Sequence, residues 1–391
     1  MIVLRRLGAC LRWLADHPRL TALGALAVFL VHPRPDVAWL FLVGAIQLDD
    51  VNTVTTKEIM PGVVDGYFRA GPLVAMCKAR FNRKWIGPQI QENFMFKPMQ
   101  GGAYKKGATF DVKRRQTRSG MLFTPRYYEV NVTEFLEDLE VEMAGPRAAF
   151  SVIRTDMQQA ALTISAMLEI AAFRHGQAIA GDDRSAEING LEEALNDGAT
   201  ASWAGNVFPS YGGQTRTDVL PALTPPTGLI VPSNTTISYR ILRHSYFSTV
   251  IGNEAPGTGI TTNRLMGFIA ENFLPHQIVD TTQPEINWPG LKFDKATIMM
   301  SQYAPGQDGA NDPDLGNYNA ASETFAWLNF GPQGDDAYIR LYIAQSSKFA
   351  FGFTGFKGAR EDNQVSGQIL FGGNLTVKAL RLSRILHGFT A

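Results

Sequence analysis

Between Arg147 and His175 the chain contains neither glycine nor proline, and this run constrains the fold more than any other stretch. Pro146 opens it at a first-turn position, where a missing N–H costs nothing because that group would be unpaired anyway. Gly176 follows the run where a left-handed C-cap is expected, just after Arg174 and His175, whose charge suits a helix C-terminus. Phe150, Ile153, Met157, Ala160, Ile164, Met167 and Ala171 recur by three and four and so form one stripe. Ser151, Thr155, Gln158, Ser165 and Glu169 are expected to keep another side polar, with Leu162 interrupting them. The half from Ala160 to Phe173 is apolar most of the way round and is expected to lie deeper. About 30 residues at ~1.5 Å each make roughly 45 Å of helix, where three or four turns are usual. A long core helix in any α+β protein would look the same, so the neighbouring segments decide what it belongs to.

The chain is long enough for one large or two ordinary domains, and Lys+Arg and Asp+Glu both number 36. A zero net charge excludes a chain-wide basic field for nucleic acid. Cys10 and Cys77 make neither a disulfide framework nor a metal spacing, so nothing demands an oxidising compartment. His17, His32, His175, His244, His276 and His387 are scattered and form no metalloenzyme motif, and each reads as structural. Gly257-Thr258-Gly259 lacks the Gly-Lys-Ser/Thr ending of a phosphate loop, and turn chemistry explains it better. Asp312, Asp314 and Glu323 copy three positions of a calcium loop. Gly316 stands where an oxygen ligand is wanted and Asn317 where glycine is required, which argues against calcium. No catalytic, metal or cofactor-binding residue is predicted, and the chain reads as non-enzymatic.

Residues 1–47 differ from the rest. Two apolar runs, 20–31 and 37–46, are split by prolines and charges, and neither reaches the ~20 residues of a spanning helix. Arg5 and Arg6 before them, and Gly44-Ala45 after, give only a faint signal-peptide pattern. We read the segment as foreign to the fold. From Leu48 the composition becomes ordinary. An extended arm over 49–81 is expected, with short helices around 56–59 and 73–80.

Residues 92–133 read as a long hairpin. Phe94-Met95-Phe96 and Thr109-Phe110-Asp111-Val112 suit strands, Gly101-Gly102 and Gly107 suit turns, and a third strand spans 126–132. Lys97, Lys105, Lys106, Lys113, Arg114, Arg115, Arg118 and Arg126 face a single acid, Asp111. The sign then reverses at Glu129, Glu134, Glu137, Asp138, Glu140 and Glu142. A basic ribbon beside an acidic segment suits self-association, one subunit's ribbon lying on its neighbour's acids. The candidate contact residues are Lys105, Lys106, Lys113, Arg114, Arg115, Arg118, Glu134, Glu137, Asp138, Glu140 and Glu142. Two solvated faces are the competing reading. Nucleic-acid binding ranks third, because the ribbon lacks base-stacking aromatics.

After the long helix, Asn189-Gly190 turns into a short helix over 191–195, and Tyr211-Gly212-Gly213 is a tight turn before Arg216 and Asp218. A proline-rich linker spans 220–233. Residues 236–250 read as helix or strand, 265–273 as helix, and 293–302 and 325–330 as strands around a loop at 304–319. The end is β: 338–345, 348–356 and 367–371 alternate, and 375–386 (LTVKALRLSRIL) alternates as one last strand.

The basic hairpin, acidic lead-in, long helix, Asn-Gly-Leu-Glu turn, Tyr-Gly-Gly-x-x-Arg-Thr-Asp segment and β-rich return resemble, in order and spacing, the major capsid proteins of tailed bacteriophages. The likeness runs from about Leu48 to Ala391. It implies an α+β fold with an N-terminal arm (48–91), an extended hairpin loop over an adjacent subunit (92–133), and a peripheral domain with a spine helix (134–200). An axial domain (201–340) and a C-terminal β return to the peripheral domain (341–391) complete it. It also implies a virion protein, assembled in the host cytoplasm, that joins itself as pentamers and hexamers into an icosahedral shell. That shell would enclose double-stranded DNA without sequence-specific binding and without a membrane in the mature form. Scaffold, portal and decoration proteins are further implied partners. Some members cross-link subunits through a loop lysine; Lys105 and Lys106 lie in that region, but nothing identifies a partner, so that chemistry is not carried over. The apolar residues 1–47 depart from the pattern. Two alternatives stand beside this reading. One is a membrane-associated or exported enzyme, for which the body of the chain offers no convergent catalytic set. The other is a cargo-holding nanocompartment shell of the same fold.

Overall fold

Two sheets and one long helix share a core in the computed structural model, which describes residues 71–110, 112–135, 146–217, 224–225, 227–273, 279–283, 288–309, 311–312, 316–317, 320–358 and 364–390. The predicted segment 1–47, the first part of the arm and most of the acidic lead-in fall outside these residues. A helix, α1 (Pro72–Arg80), precedes β1 (Asn82–Trp85), a hairpin of β2 (Ile90–Met95) and β3 (Arg118–Phe123), β4 (Arg126–Phe135) and the long helix α2 (Pro146–Phe173). A ribbon of β5 (Ala178–Ile179) and β6 (Asp182–Asp183) leads to α3 (Leu191–Ala194) and a second ribbon, β7 (Ser210–Tyr211) with β8 (Gln214–Thr215). Then follow β9 (Ile230–Pro232), α4 (Tyr239–Thr249), β10 (Thr258–Thr261), α5 (Asn263–Phe273), β11 (Val279–Gln283), β12 (Trp288–Phe293) and β13 (Ala296–Met300). A ribbon of β14 (Asn311–Asp312) and β15 (Gly316–Asn317) precedes β16 (Glu323–Leu328), β17 (Ile339–Ala344), β18 (Ala350–Phe353), β19 (Lys357–Gly358), β20 (Gln364–Val377) and β21 (Arg384–Phe389).

The first sheet is built around β20, which pairs antiparallel with β17, β18 and β19 and, in a ten-residue ladder from Gln364↔Phe135 to Gly373↔Arg126, with β4. β1 lies parallel to β17. The second sheet has the order β11-β12-β13-β10-β16-β21-β9. Helices α4 and α5 cover one of its faces through Leu242, Tyr246, Leu265 and Ile269, which meet Phe325, Trp327 and Leu386. Its other face adds Ile260, Met299, Ala326 and Leu328 to the core of α1, α2 and the first sheet. Every residue of β16 is therefore buried.

The glycine-free run folds as the spacing predicts. Ile153, Met157, Ala160, Ile164 and Ala171 are buried, Met167 partly so, while Thr155, Gln158 and Leu162 face solvent. At ~1.5–3 kcal/mol for each large apolar side chain removed from water, this stripe is what holds the helix down. Two details differ from expectation. Ser165 and Glu169 are buried rather than on a polar face, because from Ile164 onward most of the circumference of α2 is covered by α1 and the two sheets. Gly176 is not left-handed. Its small size serves a close approach instead: a Cβ there would stand 2.7 Å from the Glu187 carbonyl oxygen.

The segment 375–386 is two strands, not one. β20 ends at Val377 in the first sheet, a 3₁₀ turn at Leu380–Leu382 follows, and β21 joins the second sheet between β16 and β9. Leu375, Val377, Leu380 and Leu382 are all buried, but so are Thr376, Ser383 and Arg384, because both strands are covered on both faces. The sequence pattern marks extended backbone but says neither that both faces are covered nor which sheet each half joins.

Candidate assembly interface

The hairpin is the part of the described chain that turns outward. β2 and β3 pair from Ile90↔Phe123 to Met95↔Arg118, and the Phe96 N–H adds a bond to the Thr117 carbonyl at 3.1 Å. Along β2, Ile90, Glu92 and Phe94 point inward while Gln91, Asn93 and Met95 face solvent. Beyond Phe96 regular structure stops. Residues 97–110 and 112–116 are all exposed, and Thr109, Phe110 and Val112 form no strand. Their alternation finds no strand alongside within the described residues, so Phe110 and Val112 remain 63% and 90% exposed. The loop keeps local order through a turn from the Lys105 carbonyl to the Ala108 N–H (2.9 Å) and an edge contact between Tyr104 and Phe110 at 4.8 Å.

The root of the hairpin is fixed from two sides. On one side the Glu92 carboxylate, buried in the first sheet, accepts from Arg340 Nη1 (3.3 Å), Tyr342 Oη (2.8 Å) and Thr376 Oγ1 (3.2 Å). On the other the Tyr211-Gly212-Gly213 turn docks on β3. The Gly212 carbonyl accepts from Leu122 N–H at 2.9 Å, and Gln214 Nε2 donates to the Gly120 carbonyl at 2.8 Å. Gly212 and Gly213 have φ of 55° and 73°, the left-handed geometry that a two-residue hairpin turn requires. A Cβ on Gly212 would also lie 2.6 Å from Met121. The turn is held in its place by buried polar groups. The Glu193 carboxylate accepts from Gly176 N–H, Gln177 Nε2 and Asn189 Nδ2 at 2.7–3.0 Å. Arg216 donates from Nε to the Phe208 carbonyl (2.8 Å) and from Nη2 to the Glu193 carbonyl. Tyr211 Oη accepts from Val377 N–H at 2.9 Å, and Asn374 Nδ2 donates to Asn189 Oδ1 and the Thr124 carbonyl, both at 2.7 Å. The short motifs noted in the sequence are thus the fittings that seat the hairpin on α2 and the first sheet.

Lys105, Lys106, Lys113, Arg114, Arg115 and Arg118 all lie exposed on this projecting loop or the first position of β3. Lys97 sits 5.3 Å above the Phe96 ring. Arg126 is not part of the ribbon's surface; half-buried, it donates from Nη2 to the Gly176 carbonyl at 3.0 Å. Glu134 is the one described acid of the candidate set, half-buried near the end of β4 opposite Val365. Glu137, Asp138, Glu140 and Glu142 lie outside the described residues. Sequence reasoning gave Glu92, Glu193 and Arg340 no role. Glu92 was detectable: it occupies an inward position in the Ile90-Glu92-Phe94 alternation, and an inward charge demands a partner. Among the described residues, no group of three His, Cys, Asp or Glu is placed to hold a metal ion, and no helix is long and apolar enough to cross a membrane.

No protein-family model and no curated protein matches the sequence. Solved structures do match in shape. The capsid of cyanophage A-1(L) superposes over 83% of this chain and 94% of its own at a TM-score of 0.55 and 12% identity. The holo-SrpI encapsulin complex from Synechococcus elongatus PCC 7942 covers 82% of this chain and 89% of its own at a TM-score of 0.50 and 10% identity.

Proposed function

We propose that this chain, which has the α+β fold of the tailed-phage capsid, is a major capsid protein. It would assemble as pentamers and hexamers into an icosahedral head shell around double-stranded DNA. The observation that carries the reading, beyond the fold, is the hairpin loop. Met99, Tyr104, Phe110 and Val112 project into solvent with six cations among or just beyond them. A solitary soluble protein has no use for such a surface, and a second subunit has. In this reading α2 and the first sheet form the peripheral unit, and the second sheet with α4 and α5 forms the axial unit. The segment from β20 to β21 then runs from the first to the second. The loop of one subunit lies on the acidic segment of the next, where Glu134, Glu137, Asp138, Glu140 and Glu142 supply the opposite charge. The encapsulin likeness favours a second reading, a cargo-holding compartment of the same architecture.

Charge reversal tests the contact. Lys113→Glu, Arg114→Glu and Arg115→Glu together are expected to leave the circular dichroism of the subunit unchanged and to abolish shells in sedimentation and negative-stain images. An exposed ion pair is worth only ~0.2–1 kcal/mol, but the loss recurs at every subunit contact. Normal shells from the triple variant would refute the contact. Nuclease-protected double-stranded DNA inside wild-type particles separates the capsid from the compartment reading.

A further inference from the structure

His175 stands just past the C-terminal end of α2, 1% exposed, between carboxylates from two other elements. Its Nδ1 lies 3.0 Å from Oε2 of Glu192 on α3. Its Nε2 lies 3.9 Å from Oδ2 of Asp182 on β6 and makes no hydrogen bond among the described residues. The ring of Phe208 packs against the imidazole at 5.0 Å. Glu192 is itself buried, and its Oε1 accepts from Ser202 Oγ at 2.6 Å and from Asn206 Nδ2 at 3.2 Å. Those donors are uncharged, and the ion-pair partner of Glu192 is His175. The other charges around the ring are engaged elsewhere. Arg184 donates to Asp182 at 2.9 Å and to Glu187 at 3.1 Å, and Arg174 lies 3.6 Å from Glu187. The Glu193 carboxylate is taken up by Gly176, Gln177 and Asn189.

We infer that His175 is a proton-dependent latch, which holds the β5–β6 ribbon on the end of α2 when charged and frees it when neutral. The contacts set the direction. A carboxylate can only accept, so Nδ1 donates to Glu192, and a neutral ring then has a bare Nε2. That lone pair would be buried facing the Asp182 carboxylate, two acceptors with no proton between them. The imidazolium instead turns a second N–H toward Asp182 and supplies a counter-charge to the buried Glu192. It also places a positive charge at a helix C-terminus, where the macrodipole favours one. Burial pulls the His175 pKa down, but the Glu192 hydrogen bond, the Glu192 charge and the Asp182 charge outweigh it and a smaller opposing effect of Arg184. The folded value therefore lies above the ordinary histidine value of 6.5. With the sign worked through, the latch contributes fully below about pH 6.5 and is lost as pH rises through the folded value.

Two measurements on the full-length, unassembled subunit test it. Carbon-13 NMR of labelled histidines follows the His175 ring, its signal identified by its loss in His175→Gln. Hydrogen–deuterium exchange of residues 176–184, corrected for the intrinsic pH dependence of exchange, follows the ribbon. His175 is expected to titrate above 6.5, with ribbon protection falling about fivefold over the same range, the low end of coupling between two linked equilibria. Glu192→Gln is expected to bring the His175 midpoint below about 6.5, where burial prevails. Asp182→Asn, on the half-exposed ribbon, is expected to make ribbon protection lower and independent of pH. A His175 that is already neutral at pH 6 in the wild type overturns the inference. So does ribbon protection that stays flat across the His175 titration, or that falls equally in Asp182→Asn or His175→Gln. If Glu192→Gln does not fold, the wild-type titration and Asp182→Asn decide by the same criteria.

Discussion

Arg340→Ala is expected to destabilise the subunit by about 3–5 kcal/mol, the range for stripping one partner from a buried ion pair. Arg340 and Glu92 are almost wholly buried, 3.3 Å apart, and Arg340 also donates from Nη2 to the Asp335 carbonyl. Without the guanidinium the Glu92 carboxylate keeps only the Tyr342 and Thr376 hydroxyls. Glu92→Leu should cost a similar amount by stranding the cation. The double variant Glu92→Leu/Arg340→Met should recover more than half of the loss, because it buries no unpaired charge. Thermal unfolding of the unassembled subunits measures all three. A loss under 1 kcal/mol for Arg340→Ala would mean that the pair does not anchor the hairpin.

The second large effect belongs to α2. Ile164→Pro removes an interior hydrogen bond and drives the ring into the preceding turn, at ~3 kcal/mol or more, and it also vacates a fully buried position. No soluble folded subunit is expected. Ser165→Ala is the control. The Ser165 hydroxyl is buried and makes no hydrogen bond, so its removal is expected to change stability by less than about 0.5 kcal/mol, or to raise it slightly. Tolerance of proline at 164 would show that the stripe does not pack as described.

Much of the fold was legible because it is written in local periodicity. The long helix α2, the short helix after Asn189-Gly190, the Tyr-Gly-Gly turn and α5 all fall within a few residues of the expected positions, while 236–250, readable as helix or strand, is the helix α4. What periodicity could not convey is partnership. Thr109 to Val112 alternate like a strand, yet a strand needs a neighbour, and the described subunit provides none there. Residues 375–386 alternate along most of their length while the chain passes from one sheet to the other. Ser165 and Glu169 look solvent-facing because polarity usually marks the outer side of a helix; here Glu169 meets the N-terminus of α1, and Ser165 is buried without a hydrogen-bond partner. In the candidate interface, the cations of the loop were readable as a charge run. Of the buried groups that seat the loop, Glu92 could be noticed from its inward position between Ile90 and Phe94, but Arg340 and Thr376 become its neighbours only through tertiary structure.

That separation sets a timetable for synthesis. The Tyr342 hydroxyl that Glu92 binds lies 250 residues further along the chain. At roughly 5–20 residues per second, a ribosome needs about 12–50 s to deliver it after Glu92 has emerged. During that interval the nascent hairpin lacks its anchor and its loop lacks a fixed direction. The loop can take up its final geometry, and so offer a neighbour the contact proposed for it, only once β17 and β20 have been made and folded. Under the proposed assembly, translation order would work as a quality check: a subunit would become competent to join others only after its own sheet is complete.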